Sequence, residues 1–300
     1  MAWQVLRRDG LAVFGMLVLL GLVILAIGGT AAAAWLDGFD PAIVRLTDKL
    51  LPPLSEPSAL VAHKDVPALG VYLLGTDELG RDVLARMLQG ASVSLLIGFV
   101  AVSISIVVGL LVGALAGYFG ELQWGGISVD TVLMRFTDAM LCFPAFFLIL
   151  TVVALLPPSI YNIMVIIGLT SWMGVARFVR AELMSLRTRD FIIAAEASGL
   201  SAWRIITAHL LPNAMSPVLV TATIGIASAI LTESALSFLG FGVQPPDATW
   251  GNILADGKTF VFDAPWLFLV PGLAILLVVL AFNLVGESLR DALDPRRLQS

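Results

Sequence analysis

Six stretches of about twenty residues run through this chain almost without a charge. Each is long enough to cross roughly 30 Å of hydrocarbon as a helix rising about 1.5 Å per residue. They run Leu11–Leu36, Ser92–Phe119, Ala139–Leu156 with an earlier start through Arg135, Ile160–Ala176, Leu211–Thr232 and Ala264–Gly286. Pro157-Pro158 leaves only a tight turn between the third and fourth, which predicts a hairpin. With 59% hydrophobic and 13% charged residues, the chain carries more apolar surface than a soluble core of this length can hide. The expected class is therefore all-α: a polytopic membrane protein with six transmembrane helices.

The same composition excludes several functions. A formal charge of −5 with 17 basic residues offers no basic patch, so nucleic acid is not an expected partner. A single cysteine, Cys142, and two histidines are too few for a disulfide or a zinc site, so no metal is expected. A secretory signal was weighed for the start, where Arg7 and Arg8 precede an apolar run and Ala31 to Ala34 are small. The run is longer than a signal core, which favours a retained anchor.

An even number of spans puts both termini on one side. Lys and Arg of short loops stay in the cytoplasm. With termini inside, the inner side holds Arg7, Arg8, Arg177, Arg180, Arg187, Arg189, Arg204, Arg290, Arg296 and Arg297. The outer side holds Arg45, Lys49, Lys64, Arg81, Arg86 and Lys258. This favours cytoplasmic termini. The expected organisation is a tail and first helix at 1–36, an extracytoplasmic loop at 37–91, a five-helix core at 92–289 with a cytoplasmic loop at 177–210, and a tail at 290–300. Gly109, Gly113 and Gly117 repeat every four residues along the second span and predict close helix packing.

The loop before the fifth span reads DFIIAAEASGLSAWRIITAHLLPN, Asp190 to Asn213. Asp190 is placed to cap a short helix that Gly199 ends in a left-handed turn, and Ser201 to cap a second one that meets Pro212. A helix, glycine turn and helix also describes a DNA-reading motif or an interfacial helix pair. Tethering between spans of an acidic chain argues against the first.

Gly199, nine intervening residues and His209-Leu210-Leu211-Pro212 resemble the EAA loop of membrane subunits of ATP-binding-cassette importers, with Ile193 at the family's leading Glu and Glu196 displaced. Three further segments narrow the resemblance to the dipeptide, oligopeptide, opine and nickel permeases, in their C-type subunit: GTDELGRDVLARMLQGASVSL (Gly75–Leu95), SFLGFGVQPPDATWGNIL (Ser237–Leu254) and AFNLVGESLRDALDPR (Ala281–Arg296). MRFTDAML (Met134–Leu141) joins them.

The resemblance implies a type I importer (MetI-like) permease fold and half of a translocation pathway for di- or oligopeptides, worked by alternating access. An opine, nickel chelate or glutathione is the alternative cargo. Implied partners are a second homologous permease subunit, two cytoplasmic ATPases, an extracytoplasmic solute-binding protein, the peptide and membrane lipid. ATP and Mg would be used by the ATPases, with no cofactor on this chain. Ala194, Ala195, Glu196, Gly199, Arg204, His209 and Pro212 are the expected docking residues on the ATPase side.

Asp138 and Glu233 are the candidates for the translocation path, because a charge in the bilayer costs about 2.5–3.5 kcal/mol and needs a partner or water. Arg135, three residues from Asp138 on one helix face, is close enough to pair with it. GNILADGKT, Gly251–Thr259, mimics a phosphate-binding loop, but five residues instead of four separate its glycines, and no strand precedes it. The chain is therefore not expected to hydrolyse ATP or to catalyse any covalent change. An ion-coupled transporter would need ionisable groups within the spans, and four of six have none. His63 and His209 are not placed as buried catalytic bases, and a passive channel is the remaining alternative.

Overall fold

The computed structural model describes Arg7, residues 9–36 and residues 38–293. Arg8, Arg296 and Arg297 of the charge count, and most of the 290–300 tail, lie outside the described residues. Among the described residues the membrane-spanning elements are helical, and the strands are those of one short hairpin, Gln123–Trp124 (β1) with Ile127–Ser128 (β2).

Helix α1 covers Gly10–Trp35 and α2 Val83–Tyr118. After the hairpin come α3 (Val129–Leu141) and α4 (Ala145–Leu155), then α5 (Ile160–Leu169) and α6 (Trp172–Arg187). The chain continues through α7 (Asp190–Ala197), α8 (Ala202–Ile205), α9 (Leu211–Phe238), α10 (Trp250–Gly257) and α11 (Trp266–Leu293). Five helical stretches are long and apolar enough to cross a membrane: α1, α2, α5–α6, α8–α9 and α11. The count reaches six if the pair α3 and α4, bent by 81°, is taken as one broken span.

That bend corrects the expectation of one straight span through Arg135–Leu156. Pro144 has no amide hydrogen to carry the helix onward, so the chain breaks over Cys142–Pro144 and restarts at Ala145. Other ends move too. The second span starts nine residues early, at Val83, because Asp82 accepts the Leu84 amide at 2.8 Å and caps it there. The fourth runs on to Arg187 through a break at Thr170–Ser171. The fifth does not begin at Leu211. Ala202 starts a helix that continues through a widened π-type turn, Ile206–Leu210, in which the Leu211 amide bonds the Ile206 carbonyl. The widened turn carries the chain past Pro212, which has no donor of its own.

The glycine stripe packs α2 against α6. A β-carbon on Gly109 would lie 2.5 Å from Cβ of Val175, and one on Gly113 2.6 Å from the Ala176 carbonyl. Gly117 meets Arg180 and Leu183 in the same way, so α2 and α6 run parallel and reach one end of the bundle together. With 36 residues, α2 is about 54 Å long and separates the two ends of the molecule.

At the start of α2 the segment 38–82 folds into a compact polar cap. Tyr72 donates to Asp48 at 2.6 Å, and Arg45 donates to the carbonyls of Asp65 (2.5 Å) and Gly38 (2.9 Å). Burial and the Asp48 contact push the Tyr72 phenol well above its usual range. At the opposite end Asp9, which caps α1 through the Leu11 amide, also accepts from Ser288 of α11. Both described ends of the chain therefore lie at the end of the bundle that α7 and α8 occupy. Large apolar side chains such as Leu17, Ile24 and Ile27 of α1 and Leu269, Leu273 and Leu276 of α11 face outward, as a lipid solvent requires.

Candidate functional site

The loop between α6 and α9 forms a small helical elbow. Asp190 is the first residue of α7, not its cap; Arg189 holds the cap position without a side-chain bond. Ser198 closes α7, and Gly199, at φ +77°, makes the left-handed turn with its amide on the Glu196 carbonyl (2.9 Å). The Leu200 amide then bonds the Ala195 carbonyl at 3.3 Å, and Ser201 stands at the start of α8.

Ile192 and Ala195 face inward with Val179, Leu183, Ile205, Ile206 and Leu210, forming a separate apolar core that binds the elbow to α6 and α9. Of the seven expected docking residues, Ala195 is thus turned into the chain's own core. Ala194, Glu196, Gly199, Arg204 and Pro212 are exposed, and His209 is half-buried in the π-type turn. Phe191, Ile193 and Trp203 are exposed beside them, Trp203 by 71%. Three large apolar side chains on the polar end of a membrane protein make a surface suited to a protein partner. Glu196 is tied back to the bundle, accepting from the Tyr118 hydroxyl at 3.4 Å, while Arg187 lies over the Tyr118 ring.

Behind the elbow lies a cavity of about 320 Å³ between α2, α5–α6 and α9. Ser105, Ser171, Thr221, Ser228 and Thr232 give it hydroxyl groups within an otherwise apolar wall. Thr221, Gly225, Ser228 and Thr232 recur at four, three and four residues, one face of α9. That stripe was the available sequence signal for a cavity-lining face, and hydropathy alone passes over it.

Asp138 and Glu233, the two residues expected on the path, are not among the residues lining this cavity. Asp138 forms an ion pair with Arg177 of α6 and not with Arg135, which is exposed on α3. Helix α3 is pinned to α6 again by Asp130, whose Oδ2 accepts from Arg180 at 2.6 Å. Glu233 is fully buried. Its Oε1 accepts from Ser237 (2.7 Å) and Thr249 (2.9 Å), linking α9 to the cap of α10.

The motif segments meet far from the elbow. Asp77 accepts from Arg81 and from Arg86, each at 2.7 Å, and Arg86 continues to Asp256 at 2.9 Å. Thr249 and Asn252 cap α10 reciprocally. Trp250 inserts against Gly90, donating from Nε1 to the Met87 carbonyl at 3.1 Å, and Gln89 accepts the Ala248 amide at 2.9 Å. The segments Gly75–Leu95 and Ser237–Leu254 are therefore one structural joint, and the glycines of 251–259 lie within or at the end of α10, not in a phosphate-binding loop.

Residues 106–299 match the family described as the binding-protein-dependent transport system inner membrane component. The chain belongs to this family. Among curated relatives of this permease family, a dipeptide transport system permease protein of Alkalihalophilus pseudofirmus is 38% identical over 98% of this chain and 89% of its own. A di/tripeptide transport system permease protein of Pseudomonas aeruginosa is 40% identical over 98% and 91%. A solved structure of the MetNI methionine ABC transporter, in an inward-facing conformation, aligns with a TM-score of 0.54 at 21% identity over 69% of this chain and 96% of that one. The type I permease fold is thus the fold of this chain. It is a multi-pass permease subunit of an ATP-binding-cassette importer and not an enzyme; ATP is hydrolysed by separate subunits of such transporters.

Proposed function

We propose that this chain forms half of a peptide-importing pathway and that the elbow α7–Gly199–α8 is the lever by which ATPase subunits drive it. One observation carries the reading: α8 is continuous with α9, and α9 presents the hydroxyl stripe to the internal cavity. Motion at the elbow is therefore motion of the cavity wall. The docking surface is Ile193, Ala194, Glu196, Gly199, Trp203 and Arg204, with His209 and Pro212 at its hinge and Ala195 as the internal anchor.

The end bearing the elbow faces the cytoplasm, with both termini, in a bacterial inner membrane. Segment 38–82 and α10 face outward toward a solute-binding protein. A second homologous permease subunit supplies the other wall and two ATPases dock on the elbows; ATP and Mg are theirs. The names of the full-length relatives support a dipeptide or short oligopeptide as cargo, ahead of nickel or an opine.

Gly199 tests the lever. No atom lies within 4 Å of a β-carbon built there, so a substitution acts through backbone conformation alone. Gly199→Val costs about 1–2 kcal/mol of left-handed strain, and Gly199→Asn less. In proteoliposomes carrying the whole importer and its binding protein, the Val variant retains its ATPase subunits and loses dipeptide uptake per ATP hydrolysed, while the Asn variant stays near wild type. Normal coupling in Gly199→Val overturns the lever.

A further inference from the structure

A second and larger cavity, about 780 Å³, opens at the elbow end between α6, α9 and α11. It shares Thr221 and Ile224 with the hydroxyl-lined cavity, so the two lie next to one another along α9. Its lining differs in kind: Glu182 of α6, Asn213 and Ser216 of α9, and Asn283, Glu287 and Arg290 of α11. Among the described residues no ion pair joins Glu182, Glu287 or Arg290 to another charge. The two amides donate back to their own helices, Asn213 to the His209 carbonyl (2.6 Å) and Asn283 to the Val279 carbonyl (2.8 Å). That leaves the amide oxygens to accept.

The chamber is therefore rich in acceptors, two carboxylates and two amide oxygens, against one guanidinium. A primary ammonium carries three donors and a positive charge, and charge-assisted bonds to carboxylates are the strong ones. The volume lies in the range of small-molecule sites.

We propose that this chamber is a release-side subsite that holds the free amino terminus of a peptide as it leaves the pathway. The inference rests on the peptide-import reading above. A phosphatidylethanolamine headgroup presents the same ammonium, and the test separates the two sources.

The whole importer, without its binding protein, is placed in nanodiscs of phosphatidylglycerol and phosphatidylcholine. Equilibrium binding is measured for L-alanyl-L-alaninamide, whose carboxyl end is blocked, and for its N-acetyl form. The amine form binds saturably and the acetylated form at least about tenfold more weakly. Glu182→Gln with Glu287→Gln removes binding, and Arg290→Gln strengthens it, a gain that misfolding does not produce. Equal binding of the two probes, or binding unchanged in the double variant, overturns the subsite. Loss of peptide binding when phosphatidylethanolamine is added assigns the chamber to lipid and overturns it too. Uptake of Ala-Ala by the wild-type importer with its binding protein is measured in parallel. Uptake without chamber binding defeats this inference alone, whereas absence of uptake defeats the peptide reading beneath it.

Discussion

Asp77 has no exposure and accepts from Leu79, two groups of Arg81, and Arg86. Removing it leaves two nearly buried guanidinium groups with only the partly exposed Asp256. Breaking a buried pair from one side costs about 3–5 kcal/mol, because the other charge stays desolvated. Asp77→Ala accordingly loses most of its thermal stability in detergent, while Ala at the neighbouring exposed Glu78 changes stability by no more than about 0.5 kcal/mol. Asp9 gives a pH dependence. The Ser288 hydroxyl bond, joined by the Leu11 amide, holds its carboxyl below the ordinary range, so its contribution is complete above that range and fades as pH falls through the lowered value. Thermal scans of wild type and Asp9→Asn should differ most at neutral pH and converge as the pH falls below the ordinary carboxylate range. A difference that grows on acidification would contradict this assignment.

Helices carry their own test at the α2–α6 contact. Gly113→Leu forces a side chain into the backbone of Ala176 and the side chain of Val179, and overpacking of this kind costs about 1–3 kcal/mol or more. Its reading is a fall in melting temperature; the same change at Gly174, which has nothing within 4 Å of a built β-carbon, leaves the temperature near wild type. How far the elements were legible depends on what signals them. Apolar length placed α1 and α11 within a few residues of their true starts, and Gly199 announced its turn. The early start of α2 at Asp82 and the late end of α6 at Arg187 were hidden, because hydropathy stops at the first charges while helices continue past them on ion pairs and caps. The break at Pro144 lay inside the apolar stretch Ala139–Leu156, where only the proline signalled it.

Across the whole molecule, class and elbow could be read from sequence, and the interior partnerships could not. Arg81 and Arg86 read as loop charges that set orientation, yet both are buried and bound to Asp77. Glu233 read as a charge in need of a partner or water, and the partners its Oε1 has are Ser237 and the Thr249 cap sixteen residues on, in an element that no periodicity marked. Asp138 read as the partner of its own-helix neighbour Arg135; the packing of α3 against α6 instead brings it to Arg177. Pairings across helices depend on crossing geometry, which spacing along one helix does not encode.

The joint between Arg86 and Asp256 also sets an order of events during biosynthesis. The two residues are 170 positions apart. At about 5–20 residues per second, roughly 10 to 30 seconds of translation separate them. During that interval the stretches from α2 to α9 are made while Arg86 lacks its distant partner, as does the pocket around Gly90 that awaits Trp250. A ribosome stalled before Asp256 would leave a chain that lacks α11 and whose joint is open, a form distinct from the finished subunit.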